Sequence, residues 1–426
     1  MQKLKRCLTM RQGVGILVST LLGSGIFIVP AIATTIAGVH VTIAWLLMLV
    51  LMIPVAFTFS NLGIVYPNAG GTSFFVKQAL GRRAEHFMAW LYLSVMPLGP
   101  PVVIITGASY IGAIFDASNV QLFCICAGML LVMLLLNFIG LAFVGKVQTI
   151  LSVVIVVSLL GVILIGFCSD PTMYGLFDLS MQYKDFAVIT QAVPILFWCF
   201  VGLEAVVHLS SEFTNVERDF PKVILISMVI VGGICFFLSL IVLHYGVYGN
   251  EVLDSNYMVP LLNKLVGGKS MIFIGIMGFL TCFSSINIYI LSFSRMMLSM
   301  SEEKIIAPWF GEVNRSFVPL HSLYICYLCV FFTIGLKYAL GISLADLICY
   351  ANSVFVFLYL LASLAGGILL RHSKRKMSIL SAVFCCYIYY SLGLSGFYAF
   401  AVLLFSFIWD VFVLKKESKV SEDSVG

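Results

Sequence analysis

Two short stretches of the chain place glycine beside polar or acidic residues inside long apolar runs. The first is Gly23-Ser24-Gly25, and the second runs from Gly202 to Glu204. Glycine loosens a helix because it has the largest backbone freedom and no side chain to pack. A broken helix is tolerated in lipid only where its freed N–H and C=O groups line a cavity or find protein partners. Each stretch is therefore predicted to interrupt a membrane helix near its middle.

The first stretch has the residue types for binding an anion. An unwound turn leaves backbone N–H groups bare, and the half-helix that follows it presents the positive end of its dipole. A carboxylate would be stabilised by both features. The alternative interpretation is close packing of small residues between helices, which is common in membranes. The motif alone leaves both interpretations open.

Glu204 introduces a second possible chemistry, which is proton transfer. An acid deep in an apolar span is energetically costly and points to a functional role. His208 and Glu212 follow at i+4 and i+8, so a continuous helix would carry all three on one face. Together they could form a proton path from the middle of the span to its end. Alternatively, Glu204 binds backbone groups freed by the break, while His208 and Glu212 only approach the aqueous interface.

Composition places the chain in a membrane. Of its 426 residues, 61% are hydrophobic and only 10% are charged, and long apolar runs recur from end to end. These features predict an all-α polytopic membrane protein. The sequence contains no Gly-rich phosphate loop, no nucleophile–base set and no metal-ligand spacing around its twelve cysteines. We therefore expect no enzyme activity, no cofactor, no metal and no nucleic-acid partner.

The apolar runs predict twelve transmembrane helices. They lie near residues 14–36, 43–65, 87–115, 121–143, 147–168, 189–211, 222–246, 271–297, 319–340, 344–369, 378–394 and 396–414. With this count, 20 of the 24 Lys and Arg residues fall on one side, and only Lys184, Lys264, Lys269 and Lys337 fall on the other. The positive-inside rule then places both termini in the cytoplasm.

The helix count also suggests how the chain is divided. Residues 1–12 and 415–426 form cytoplasmic ends, and residues 13–370 form a core. Within the core, five helices lie in about 14–168 and five in about 189–369, and residues 378–414 add two more. Because five is odd, the second set starts from the opposite face, so a similar fold in both sets would be an inverted repeat.

A proline cluster interrupts the third span. Residues 97–101 read Pro-Leu-Gly-Pro-Pro, which predicts a kinked or broken helix with freed carbonyls. Either a structural bend or a role in a binding pocket would explain it. Polar residues in the eighth and tenth spans could bind a ligand or only neighbouring helices; they are Thr281, Ser284, Ser285, Asn287, Tyr350, Asn352 and Ser353.

Three motifs together resemble the amino acid–polyamine–organocation (APC) superfamily of transporters. They are Gly23-Ser24-Gly25-Ile26-Phe27, Tyr66-Pro67-Asn68-Ala69-Gly70-Gly71 and Phe200-Val201-Gly202-Leu203-Glu204. The resemblance covers nearly the whole chain. The string from Phe197 to Pro221 is the most specific part, and it is similar to bacterial exporters of L-methionine and branched-chain amino acids.

The resemblance implies a LeuT-like core, a five-plus-five inverted repeat, with two extra helices. A zwitterionic amino acid would lie between the first and sixth helices, with its carboxylate on the amides around Gly25 and its ammonium on nearby carbonyls. Trp198 matches the position of an aromatic gate. The expected substrate-binding residues are Leu21, Leu22, Gly23, Ser24, Gly25, Ile26, Phe197, Trp198, Cys199, Phe200, Val201 and Gly202.

The implied function is export of neutral apolar amino acids (L-methionine, leucine, isoleucine and valine) across a bacterial inner membrane by alternating access. The expected partners are the amino acid, the lipid bilayer and H⁺ as the coupling ion in an antiport. Some proton-coupled relatives carry a lysine in helix five, where this chain has Ile155 or a neighbour, so Glu204, His208 and Glu212 are the candidates for proton coupling. The alternatives are an importer or exchanger of the same superfamily, or a membrane-embedded enzyme or sensor.

Overall fold

The computed structural model describes residues 8–67, 71–139, 142–170, 185–210, 213–313 and 319–423, and these residues are almost entirely helical. Only two isolated β-bridges, Leu8–Phe213 and Val313–Pro319, occur among them. The helices are α1 (Met10–Leu22), α2 (Gly25–Ala37), α3 (Val41–Val65), α4 (Gly71–Leu80), α5 (Arg82–Ser94), α6 (Gly99–Gly112), α7 (Asn119–Ile139), α8 (Ala142–Ser169), α9 (Asp185–Phe197), α10 (Leu203–Val207), α11 (Val216–Tyr245), α12 (Glu251–Asn256), α13 (Met258–Leu265), α14 (Lys269–Glu302), α15 (Leu320–Leu340), α16 (Leu344–Leu369), α17 (His372–Ser391) and α18 (Phe397–Asp423).

Eight helical stretches within the described ranges are long and apolar enough to cross a membrane. They are Gly25–Val65, Arg82–Gly112, Asn119–Leu136, Asp185–Val207, Val216–Tyr245, Leu320–Leu340, Leu344–Leu369 and Gly393–Val411. Shorter apolar helices occupy Met10–Leu22, Val153–Ser169 and Ser270–Phe283. Large apolar side chains such as Leu164, Phe332 and Leu404 are exposed on the outside of the helices. Because a bilayer can cover such a surface, the chain is a multi-pass membrane protein, as its composition predicted.

Three of the predicted spans are interrupted. The first is broken between α1 and α2, and the sixth is broken between α9 and α10. The third is broken between α5 and α6, where Pro100 and Pro101 occupy the first turn of α6. Proline fits that turn because it has no N–H to donate and its φ angle is already helical. The glycine and proline signals in the sequence therefore predicted the three breaks correctly.

Close packing of α6 against α14 holds the middle of the molecule together. A Cβ added at Gly278 of α14 would lie 2.6 Å from the ring of Tyr110, and one added at Gly107 of α6 would lie 2.8 Å from the Cβ of Cys282. Glycine at these positions lets the two backbones approach closely, which is how membrane helices commonly associate. The contact also places the Tyr110 side chain against α2, beside the first break.

The last two helices differ from the predicted boundaries at their ends. A 3-10 turn, Gly393–Gly396, joins α17 to α18 where a tight turn was expected. However, α17 begins at His372 rather than near 378, and α18 continues to Asp423 rather than ending near 414. Charged and polar residues extend both helices beyond their apolar parts, so hydropathy alone underestimates their length.

Candidate functional site

The first break is a two-residue interruption between α1 and α2. Gly23 leaves the helical conformation with φ 13° and ψ −135°, and α2 begins at Gly25. The Phe27 N–H donates to the Ser24 carbonyl at 3.0 Å. The first N–H groups of a helix have no partner within the helix, so the start of α2 offers bare amides. These amides and the dipole of α2 suit a carboxylate.

The second break separates α9 from α10. Residues Trp198–Phe200 form a 3-10 turn, Val201 is extended, and Gly202 has a φ of +116°. A side chain at Gly202 would be strained at this φ, and its Cβ would lie 3.0 Å from Cγ2 of Thr20 in α1. Glycine at this position therefore allows the second break to approach the first.

The two breaks lie directly against each other. The indole Nε1 of Trp198 donates to the Ser24 hydroxyl at 3.3 Å. A Cβ added at Gly25 would lie 3.3 Å from Trp198 Cδ1 and 3.4 Å from Cys199 Sγ. The breaks predicted from two distant stretches of sequence thus form one site.

A cavity of about 60 Å³, called here the central cavity, opens beside the two breaks. Among the predicted substrate-binding residues, those that line it are Leu21, Gly23, Ser24, Gly25, Trp198 and Val201. The others are buried but do not border it: Leu22, Ile26, Phe197, Cys199, Phe200 and Gly202. The remaining lining residues are Thr20, Val95, Gly99, Pro100, Val103, Ser285, Ile286, Tyr289, Phe293 and Phe355. None of these described lining residues is charged, and most are apolar.

Only part of this lining was predictable from the sequence. Gly99 and Pro100 belong to the predicted break in the third span, and their position at the cavity supports a pocket role for that break. Ser285 was one of the polar residues noted in the eighth span. Phe293 and Phe355 carried no signal, because a phenylalanine in an apolar helix looks the same whether it faces lipid, a neighbouring helix or a cavity.

Side chains from distant helices donate hydrogen bonds to carbonyls near the breaks, including that of Ile26, which has no helical partner because Pro30 lacks an N–H. In α2, the Ile26 carbonyl accepts from Tyr257 at 2.7 Å, and the Phe27 carbonyl accepts from Tyr110 at 2.9 Å. In α9, the Pro194 carbonyl accepts from the Asn352 amide at 2.6 Å. These three donors are buried. Irregular backbone within a membrane must find hydrogen-bond partners in the protein, and these three side chains supply such partners.

Glu204 is buried at the second break, with an exposed fraction of 6%. Its Oε2 accepts from the Gly202 N–H at 3.0 Å and from the Tyr359 hydroxyl, which also lies 3.1 Å from the Phe200 carbonyl. Glu204 therefore supports the broken backbone, which was the structural alternative for this residue. It also lies close to the central cavity, because it binds the N–H of Gly202, the neighbour of the lining residue Val201.

The predicted proton path toward Glu212 meets an early helix end. α10 stops at Val207, short of the predicted end near 211, and Glu212 lies outside the described residues. Among the described residues, the helix after the second break therefore ends earlier than predicted and does not include His208. The His208 ring packs instead against Gly71, where an added Cβ would lie 2.5 Å from it. Gly71 has a φ of +54° and ends the Tyr66–Gly71 motif, so this glycine contacts the residue that follows α10.

Comparison with known proteins points in the same direction as this geometry. The amino acid permease family model matches residues 8–422. The chain is 32% identical to the L-methionine/branched-chain amino acid exporter YjeH of Escherichia coli, over 95% of this chain and 96% of that protein. It is 27% identical to the amino acid permease YecA of Bacillus subtilis, over 74% of this chain and 73% of the relative. It is 24% identical to the serine/threonine exchanger SteT of the same organism, over 68% and 66% of the two chains. The chain therefore belongs to the amino acid permease family of the APC superfamily.

Proposed function

We propose that this protein is a secondary transporter that exports neutral apolar amino acids, including L-methionine, leucine, isoleucine and valine. The observation that carries the proposal is the central cavity, which places bare amides of α2 beside an uncharged and mostly apolar lining. An amino acid has a carboxylate for the amides and an apolar side chain for the rest. The similarity to YjeH, whose name gives methionine and branched-chain amino acids as its substrates, supports the same substrate class.

The proposed topology has twelve crossings, made by α1–α2, α3, α5–α6, α7, α8, α9–α10, α11, α14, α15, α16, α17 and α18. In this topology α4, α12 and α13 do not cross. Residues 13–370 form the ten-helix inverted repeat, and the two interrupted helices α1–α2 and α9–α10 begin its two halves. Their equivalent positions support the repeat. The third and eighth crossings differ, since α14 is continuous over Lys269–Glu302 whereas α5–α6 is broken.

The proposed location is the inner membrane of a bacterium, with both chain ends in the cytoplasm. The uneven distribution of Lys and Arg across the twelve crossings supports this orientation. The proposed coupling ion is H⁺, exchanged for the amino acid, and Glu204 is the proposed carrier because it is a buried acid close to the central cavity.

Uptake into inside-out vesicles tests the transport function and its direction. The interior of such vesicles corresponds to the outside of the cell, so an exporter fills them with labelled L-methionine. We expect an acidic interior to accelerate this filling and vesicles without the protein to show none. If the filling does not depend on the pH gradient but requires an amino acid inside the vesicles, the result would instead favour an exchanger.

Charged amino acids should fail to compete in the same assay. Burying an unpaired charge costs several kcal/mol, roughly, and none of the described residues lining the central cavity offers a counter-ion. We expect norleucine to inhibit methionine transport strongly and lysine, which has a similar length, to inhibit it weakly or not at all. Glutamine and glutamate provide a second pair of nearly equal size. Equal inhibition by lysine and norleucine would contradict the apolar site.

Replacing Trp198 should weaken substrate retention. Its indole covers Gly25 and binds Ser24, so Trp198→Ala removes both the cover and the hydrogen bond. We expect the half-saturating methionine concentration to rise about tenfold, equivalent to ~1.4 kcal/mol. Trp198→Phe keeps an aromatic cover without the hydrogen bond and should show a smaller rise. Unchanged affinity and turnover in Trp198→Ala would exclude a gating role.

A further inference from the structure

A second cavity, called here the hairpin cavity, lies between the helical hairpin α12–α13 and the ends of α6 and α15. Its volume is about 590 Å³, and no residue that lines it also lines the central cavity. Such a volume is in the usual range for small-molecule sites. The residues of the two breaks, Gly23–Gly25 and Trp198–Gly202, do not border it, so it is separate from the proposed transport site.

Charges of both signs line the hairpin cavity. The ammonium of Lys337, at the end of α15, lies 2.8 Å from the Glu251 carboxylate and 4.6 Å from the centre of the Tyr338 ring. The Lys337 side chain is only 12% exposed, whereas that of Glu251 is 44% exposed. Asp116, in the turn after α6, contributes a second carboxylate and is exposed. The largely buried Lys337 ammonium is thus accompanied by two more accessible acids.

We propose that the hairpin cavity binds a free amino acid as a zwitterion, with its carboxylate on Lys337 and its ammonium on Asp116 and Glu251. A ligand with only a negative charge would face two carboxylates, and one with only a positive charge would face the Lys337 ammonium. A zwitterion satisfies both signs at once. A salt bridge that only tied the hairpin to α15 would need no cavity of this size beside it. The proposal rests on the proposed function, which is the reason for choosing an amino acid as the ligand in its test.

The hairpin also contacts the central site, so the second amino acid would affect transport. Tyr257, between α12 and α13, donates to the Ile26 carbonyl next to the first break at 2.7 Å. Asp254 of α12 accepts from the Thr35 hydroxyl of α2 at 2.8 Å. A ligand that holds the hairpin in place therefore also stabilises the position of α2.

Counting bound amino acids tests the proposal. Equilibrium binding of radiolabelled L-leucine to the purified full-length protein should reach two molecules per chain. Gly25→Val removes the central site and should leave one, and Lys337→Met removes the charge of the hairpin cavity and should also leave one. Ala113→Phe fills the hairpin cavity without changing the Lys337–Glu251 pair, and it should also leave one. Gly25→Val combined with Ala113→Phe should bind none.

The binding counts distinguish an error in the central site from an error in the hairpin cavity. If Gly25→Val binds no leucine and Ala113→Phe binds as much as the wild type, the hairpin cavity is not an amino acid site. If Gly25→Val leaves the count unchanged while Ala113→Phe lowers it, the central site is wrong and the hairpin cavity stands. Ala113→Phe decides the result should Lys337→Met fail to fold. Displacement of leucine from the Gly25→Val protein by butylamine or butyrate as effectively as by unlabelled leucine would contradict the zwitterion.

Discussion

Gly25→Val is expected to abolish transport while leaving membrane insertion intact. Gly25 starts α2, and even a Cβ there would lie 3.3 Å from Trp198 and 3.4 Å from Cys199. The two further methyl groups of valine would force the breaks apart and cover the amides proposed to bind the carboxylate. Overpacking of this kind costs about 1–3 kcal/mol, which alone corresponds to a ~5–150-fold loss. Blocking the amides adds to that loss.

Gly15→Val is a matched control for this substitution. Gly15 lies in α1, about two helical turns before the same break, and an added Cβ there meets nothing within 4 Å. Both variants make the same chemical change in the same interrupted span. The measurement is labelled methionine flux at equal protein level in the membrane. Wild-type flux in Gly25→Val would remove Gly25 from the binding site, and loss of flux in both variants would point to a general effect on the helix.

Local sequence patterns predicted the helical, membrane-spanning character of the chain and the three interruptions. Residues 344–369 were predicted as one span, and α16 occupies Leu344–Leu369. The breaks were predictable because glycine and proline act on the backbone where they stand, through conformational freedom or a missing N–H. The resemblance to APC transporters, and not these local signals, predicted that Gly25 and Trp198 belong to one site.

The partners of the broken helices could not be predicted in the same way. Tyr110 and Tyr257 donate to carbonyls of α2 that lie 83 and 231 residues away in the sequence. A tyrosine in an apolar helix shows no local sign of which backbone group it will reach. Tertiary packing decides this, and one sequence does not encode it as a readable pattern.

The early end of α10 has a similar explanation. Hydropathy extended the sixth span to about 211, but the chain leaves the helix after Val207. Tertiary contacts hold the residues that follow: His208 packs on Gly71, and the Thr214 N–H donates to the Leu8 carbonyl at 3.0 Å. These contacts involve residues far away in the sequence, so local hydropathy could not indicate where the helix ends.

Glu204 now has a defined environment in which its two proposed roles can be separated. Its Oε2 accepts from the Gly202 N–H and from the Tyr359 hydroxyl, so the carboxylate holds the second break together. Gly202 follows Val201, which lines the central cavity, so the same carboxylate lies close to that cavity and is the proposed proton carrier. Glutamine keeps the size and one acceptor oxygen of this side chain but cannot ionise.

We therefore expect Glu204→Gln to lose proton-driven methionine flux and to retain exchange of methionine for methionine. Tyr359→Phe is the matched control, because it removes one hydrogen bond to the same carboxylate and leaves the carboxylate able to titrate. A hydrogen bond to a charged group contributes about 1.5–3 kcal/mol, so this variant should slow both kinds of flux and keep its response to a pH gradient. The measurement is methionine uptake into inside-out vesicles with and without an acidic interior. If the gradient accelerates uptake by Glu204→Gln as much as by the wild type, Glu204 carries no proton and its role is to stabilise the broken helix.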